Sequence, residues 1–148
     1  MSHKIWLGPA DGSNVKALLV EGLAQDAIVP GSLVVRVAAG LATSTKAATV
    51  FDSEPLLAQE VGAHLGATIT DPYEVGDNSR AVKLRSGEFA LARVAASQDI
   101  TSTGVALSSN GDGTLKIAAT DDNEQILFYS EEIVNTGGSV ALVAVSKA

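Results

Sequence analysis

The chain contains no cysteine. That excludes disulfide frameworks, thiolate metal sites and cysteine nucleophiles together, although a chain of this size needs no covalent staple to hold a core. Aromatic residues are scarce: one Trp, two Tyr and three Phe in 148 residues, against a hydrophobic content of 46%. The core is therefore expected to be built from Val, Ile, Leu and Ala. Such side chains suit closely packed sheets and subunit contacts better than a large ligand cavity. No apolar run is long enough to cross a bilayer, and the first residues lack the basic-then-apolar layout of a signal peptide. Positive charge is also in deficit. Seventeen Asp and Glu against ten Lys and Arg give a formal net charge of −7, which favours solubility and opposes binding to nucleic acid and to anionic membrane. The Lys and Arg are scattered, with no aromatic residues interleaved among them.

What the sequence does have is a succession of short apolar runs, each cut by Gly, Asp, Asn or Ser. This is the pattern of antiparallel strands joined by tight turns. It is clearest from Ile69 to Ile117. Strands are expected within Val15–Ala27, at Leu33–Val37, Ala47–Phe51, Ile126–Tyr129 and Val140–Val145, the last covered on both faces because it is apolar throughout. Ala38–Thr45 reads as a loop. Asn110-Gly-Asp-Gly113 reads as a hairpin turn, since Asn and Gly tolerate positive φ. Asp121–Glu124 reads as an exposed acidic loop. A short helix could begin at Asp52 or Ser53, with Pro55 in its first turn and Leu57, Val61, His64 and Leu65 on one face; the same stretch could be extended. Val82 and Leu84 fall on one parity and Phe89 and Leu91 on the other, which predicts a phase change and hence a turn or a bulge at Ser86-Gly87. No exact internal repeat is evident; Ile28–Val34 and Ile100–Leu107 share only an aliphatic–turn–Gly–aliphatic shape. The expected fold is mainly β: a compact antiparallel β-sandwich or barrel of short strands, with room for one short helix. It divides into an N-terminal arm, residues 1–14, and a single β-rich domain, residues 15–148.

Chemistry is hard to find in these residues. The histidines are His3 and His64. Glu60 and His64 could meet on a helix face, but a zinc site needs three or four ligands. Asn110, Asp112 and Thr114 faintly resemble the start of a calcium loop, yet the downstream glutamate is missing and a plain turn suffices. Neither a nucleophile elbow nor a phosphate-cradling loop occurs. For an enzyme assembled between subunits, the candidates would be Asp77, Arg80, Arg85 and Asp112, each more simply a turn or exposed strand residue. No catalytic residue, metal ligand or cofactor is expected. The candidate contact residues are Ile5, Trp6 and Leu7, an apolar patch holding the lone tryptophan. It either folds back over the core edge or anchors on another subunit, where Trp is a favoured hot-spot residue.

Several segments together resemble a family of small virion proteins of tailed bacteriophages, the head decoration (cement) proteins. They are Val50-Phe-Asp-Ser-Glu-Pro55, Asp71-Pro-Tyr-Glu-Val-Gly-Asp77, Ser86-Gly-Glu-Phe-Ala-Leu-Ala-Arg93, the run from Ile100 through Gly113 to Leu115, and Tyr129-Ser-Glu-Glu-Ile-Val134. The resemblance is one of turns and spacing over about two thirds of the chain, and residues 1–27 do not contribute. It implies a non-enzymatic β-rich protein on the outer surface of the virion capsid. Such a protein would be a homotrimer clamping neighbouring subunits of the major capsid protein, with no nucleic-acid or membrane partner. The alternative is another virion component, such as a head-fibre base, tail or adhesin module.

Overall fold

The computed structural model describes residues 4–9, 16–51, 54–61, 69–119 and 123–148. In chain order the elements are β1 (Trp6–Pro9), β2 (Leu18–Leu23), β3 (Leu33–Val37), β4 (Gly40–Thr43), a 3-10 turn at Ala48–Val50, β5 (Leu56–Ala58), β6 (Asn78–Lys83), β7 (Glu88–Val94), β8 (Asp99–Ile100), β9 (Ala106–Ser109), β10 (Leu115–Ile117), β11 (Phe128–Ser130), β12 (Val134–Asn135) and β13 (Ala141–Lys147). The protein is mainly β, and its strands form barrels.

The C-terminal barrel is a closed ring of five strands, β7, β10, β9, β11 and β13. Its ladders are antiparallel except at one parallel pair, Leu115 of β10 opposite Val94 of β7. The N-terminal sheet, in the order β2-β6-β5-β3-β4, curls the same way. It closes where Ala24, just past β2, bridges Leu41 of β4 in parallel and Gln25 N donates to Leu41 O at 2.9 Å.

The two barrels follow one path. β2, β3, β4, β5 and β6 take the places of β7, β9, β10, β11 and β13, and the registers agree residue by residue. Val34 faces Leu56 and Thr43; Leu107 faces Phe128 and Ile117. Lys83 lies opposite Leu56, and Lys147 opposite Phe128. Leu19 faces Val82, and Phe89 faces Ser146. The minor bridge recurs as well, Ile28 with Tyr73 in one barrel and Ile100 with Val134 in the other. The weak likeness between Ile28–Val34 and Ile100–Leu107 is therefore the visible part of an internal repeat of the whole barrel.

Packing explains which residues point inward. Few strands enclose little volume, so β7 turns its small residues in. Ala90, Ala92 and Val94 are fully buried, while Phe89 and Leu91 lie half-buried on the outside. This corrects the expected phase change, since Val82, Leu84, Ala90, Ala92 and Val94 keep one parity; of the turn or bulge expected at Ser86-Gly87 the structure has the turn, closed by Glu88 N donating to Arg85 O. β5 is buried along its whole length because both its faces are covered. Leu56 and Ala58 fill the N-terminal barrel with Ala24, Ile28, Val34, Leu41, Tyr73 and Ala81. Leu57 points the other way and joins Leu33 and Val82 in the cluster that continues into the C-terminal barrel through Val94, Leu107, Phe128 and Val145. Arg93 of β7 fastens the two barrels, donating from Nε to Pro30 O at 2.8 Å and from Nη2 to Ile69 O at 3.3 Å. Burial holds its pKa below the usual arginine range.

Other expectations change in detail. β3 has the expected bounds, and Asn110–Gly113 is the turn of the β9–β10 hairpin. Ala38–Thr45 is not a loop; it holds the turn into β4 and β4 itself. Ala47–Phe51 carries the 3-10 turn in place of a strand. Leu57, expected on a helix, lies in β5, drawn into extended structure by its ladders with β3 and β6. Pro55 and Val61, expected on the same helix, are described and lie outside any helix, while Asp52, Ser53, His64 and Leu65 lie outside the described residues, as do His3, Asp121 and Asp122. The final strand buries Val143 and Val145 and half-buries Leu142 and Ala144.

Candidate interaction surface

Ile5-Trp6-Leu7 is docked on this chain's own C-terminal barrel. β1 runs antiparallel to the start of β7, with Trp6 opposite Ala90 and Pro9 opposite Glu88. Ile5 precedes β1 and is fully buried in the cluster shared by the two barrels. Its N–H donates to Glu60 Oε2 at 2.9 Å, and its carbonyl accepts from Leu91 N at 2.8 Å. Trp6 is half-buried, and its indole Nε1 donates to Glu88 Oε2 at 2.9 Å. Leu7 points outward, 44% exposed. The three residues thus have different fates: a core residue, a latch and a surface residue.

Glu88 is the polar centre of this arrangement. Its side chain is only 3% exposed, and Arg85 Nη1 pairs with its other oxygen while also reaching Lys16 O, which ties the latch to the start of β2. Burial alone would raise the carboxyl pKa. The donors on both oxygens, Trp6 and Arg85, outweigh it and hold the pKa below the usual glutamate value. Sequence reasoning missed Glu88. One faint signal was available: a charged residue at the head of a strand, three positions after an arginine.

Of the enzyme candidates, Asp77, Arg85 and Asp112 are occupied locally. Asp77 Oδ2 accepts Glu74 N in a turn. Asp112 accepts the N–H and hydroxyl of Thr114 and the amide of Asn110, which is what a plain turn requires. Arg85 serves Glu88, and Arg80 lies on β6 opposite Glu21. A hollow of about 250 Å³ beside β9 and β10 is lined by Ala106, Ala118, Ala119, Asn123, Glu124 and Ile126. Its carboxylate is already engaged, with Lys116, Ala119 N and Ser108 on Glu124. Those donors, Lys116 foremost, hold the Glu124 pKa down. Among the described residues no three His, Asp or Glu side chains gather as metal ligands.

Apolar side chains reach the outer surface on strands as well as in turns. Leu18, Leu19 and Leu23 of β2 are 42%, 46% and 52% exposed, and Tyr129 stands outward on β11. No family model matches the chain, and no curated protein matches it.

Proposed function

We propose that this chain is a non-enzymatic virion protein that binds the outside of a tailed-phage capsid as a homotrimer and stabilises the shell by clamping neighbouring subunits of the major capsid protein. The resemblance in turns and spacing supports this reading. The observation that carries it is the contrast between interior and surface. The barrels are filled with their own side chains, mainly Ala, Val, Ile and Leu with Phe128 and Tyr73, and the buried carboxylates Glu88 and Glu124 are held in local contacts. Four of the large exposed apolar side chains, Leu7, Leu18, Leu19 and Leu23, lie on β1 and the edge strand β2, and others, Val50, Val75 and Ile133 among them, stand out from turns and loops. Such a molecule offers apolar surface to partners, and the carboxylate in the hollow beside β9 and β10 is already engaged. A cement protein that binds only the assembled shell stabilises it by mass action, and many weak copies add through symmetry.

The test uses shells lacking the protein, with wild type or Leu7→Glu protein added back. Wild type is expected to raise the temperature at which the shells release their contents, and Leu7→Glu to do so less. Leu7 is the residue to change. Deleting residues 1–10 would remove Ile5 from the core and confuse folding with binding. Shells whose release temperature is unmoved by the wild-type protein would sink this reading. The alternative, a fibre-base, tail or adhesin module, has the outward ring of Tyr129 in its favour.

A further inference from the structure

The internal repeat supplies a comparison within one molecule. β2 and β7 hold the same place in the two barrels, so Leu18, Leu19, Val20 and Glu21 correspond to Glu88, Phe89, Ala90 and Leu91. On β7 this edge is covered: β1 pairs with Glu88–Ala90, and Leu91 N donates to Ile5 O. On β2 it is bare among the described residues, where the only ladder β2 makes is with β6. Barrel closure covers β2 only near its end, where Gly40 and Leu41 meet Leu23 and Gln25. In an antiparallel ladder the backbone groups of alternate residues point to opposite edges. Gln25 N reaches out to Leu41 O, and Leu91, the counterpart of Glu21, reaches out to β1. Leu19 and Glu21 therefore present their backbone groups to the free edge.

Side chains set the chemistry of what fits. Where β7 has Glu88 to catch an indole N–H, β2 has Leu18. Leu18 and Leu19 are both exposed, on opposite faces of the edge. An apolar edge strand with no proline or bulge to blunt it is a template for strand addition. Lys16 lies just before the edge and Glu21 at its far end, so an antiparallel partner is best matched by a base before its apolar run and an acid after it. The segment Lys4–Asp11 of this chain has that order, Lys4, then Ile5-Trp6-Leu7, then Asp11.

We propose that the edge of β2 from Leu18 to Glu21 is a seat for an extended apolar segment of another polypeptide, flanked by a base and an acid, which adds antiparallel to β2 as β1 adds to β7. The edge would be competent whether or not the partner is a coat protein.

The probe is a capped synthetic peptide of residues Lys4–Asp11, titrated into the full-length protein while backbone amide shifts are followed. Saturable shifts at Leu18–Glu21 are expected. They should fall at least tenfold in apparent affinity for Leu19→Pro, which removes one outward N–H and leaves the β6 ladder intact. A peptide N-methylated at alternate positions should fail in the same way with the unaltered protein, so the outcome does not depend on the variant folding. Shifts confined to Glu88–Leu91 would mean that the peptide merely displaces β1. That result overturns the proposal, as would no binding at millimolar peptide. A dimer formed without peptide that buries Leu18–Glu21 would also overturn it, since the occupant would then be a second copy.

Discussion

Glu88 shows how one buried carboxylate can decide where the start of a chain lies. With its side chain 3% exposed, it is stable as an anion only while Trp6 and Arg85 satisfy it. Trp6→Phe keeps the ring and removes the N–H, leaving a buried acceptor short of a donor; a loss of about 1–3 kcal/mol is expected, read from the midpoint of urea unfolding. The pH dependence follows from the lowered pKa values of Glu88 and Glu124. A carboxyl whose folded pKa lies below its unfolded value, about 4.3 for glutamate, contributes fully above that value. The contribution fades as pH falls towards the folded pKa. The stability gap between wild type and Glu88→Gln is therefore expected to be widest at neutral pH and to narrow below about pH 4.3. A gap that widened with acid would contradict the latch.

Single glycines decide whether the strands can close into barrels. Gly40 has φ +151°, and a Cβ there would lie 2.1 Å from the carbonyl oxygen of Leu23. Gly40→Ala should force β4 away from β2 at the one seam that closes the N-terminal barrel. The cost should be at least about 1–3 kcal/mol, the range of local backbone strain, and circular dichroism during thermal unfolding would show it. Gly31, with φ +88°, lies between the barrels, where a Cβ would meet only the movable end of the Leu142 side chain and the backbone conformation is what favours glycine. At the scale of elements the sequence was partly legible. The β3 run Leu33–Val37 and the Asn110–Gly113 turn carry strong local signals, and both are where the pattern puts them. β4 was hidden because Gly-Leu-Ala-Thr looks like loop composition, and its strand character comes from its ladder with β3. β7 misled because large residues are usually inside, whereas in this five-stranded barrel β7 contributes Ala90, Ala92 and Val94 to an interior that Leu107, Leu115 and Phe128 of the other strands already fill. Ile5-Trp6-Leu7 could be recognised as a contact segment, but its seat could not. Glu88 lies far along the chain from Trp6, and nothing local marks the pair.

At the scale of the whole molecule, the repeat is the feature the sequence concealed most. Corresponding positions share size class more often than identity: Val34 with Leu107, Leu56 with Phe128, Ala81 with Val145. The connections also differ in length. Ala38-Ala39 links one hairpin where Asn110–Thr114 links the other, so no constant period survives. Because Leu33, Leu57 and Val82 of one barrel share a cluster with the interior of the other, the two are expected to unfold together. A calorimetric enthalpy equal to the van't Hoff value would bear this out; two resolved transitions would contradict it. An acidic, double-barrelled body with exposed leucines on β1 and β2 suits repeated attachment to a symmetric surface, which is the role proposed. The most direct measurement is quantitative mass spectrometry of purified phage particles from the source lysate, counting copies of this chain against the major capsid protein. Copies of the order of one per coat subunit are expected. A handful per particle would point to a fibre or tail part, and absence from the particle would contradict the virion role altogether.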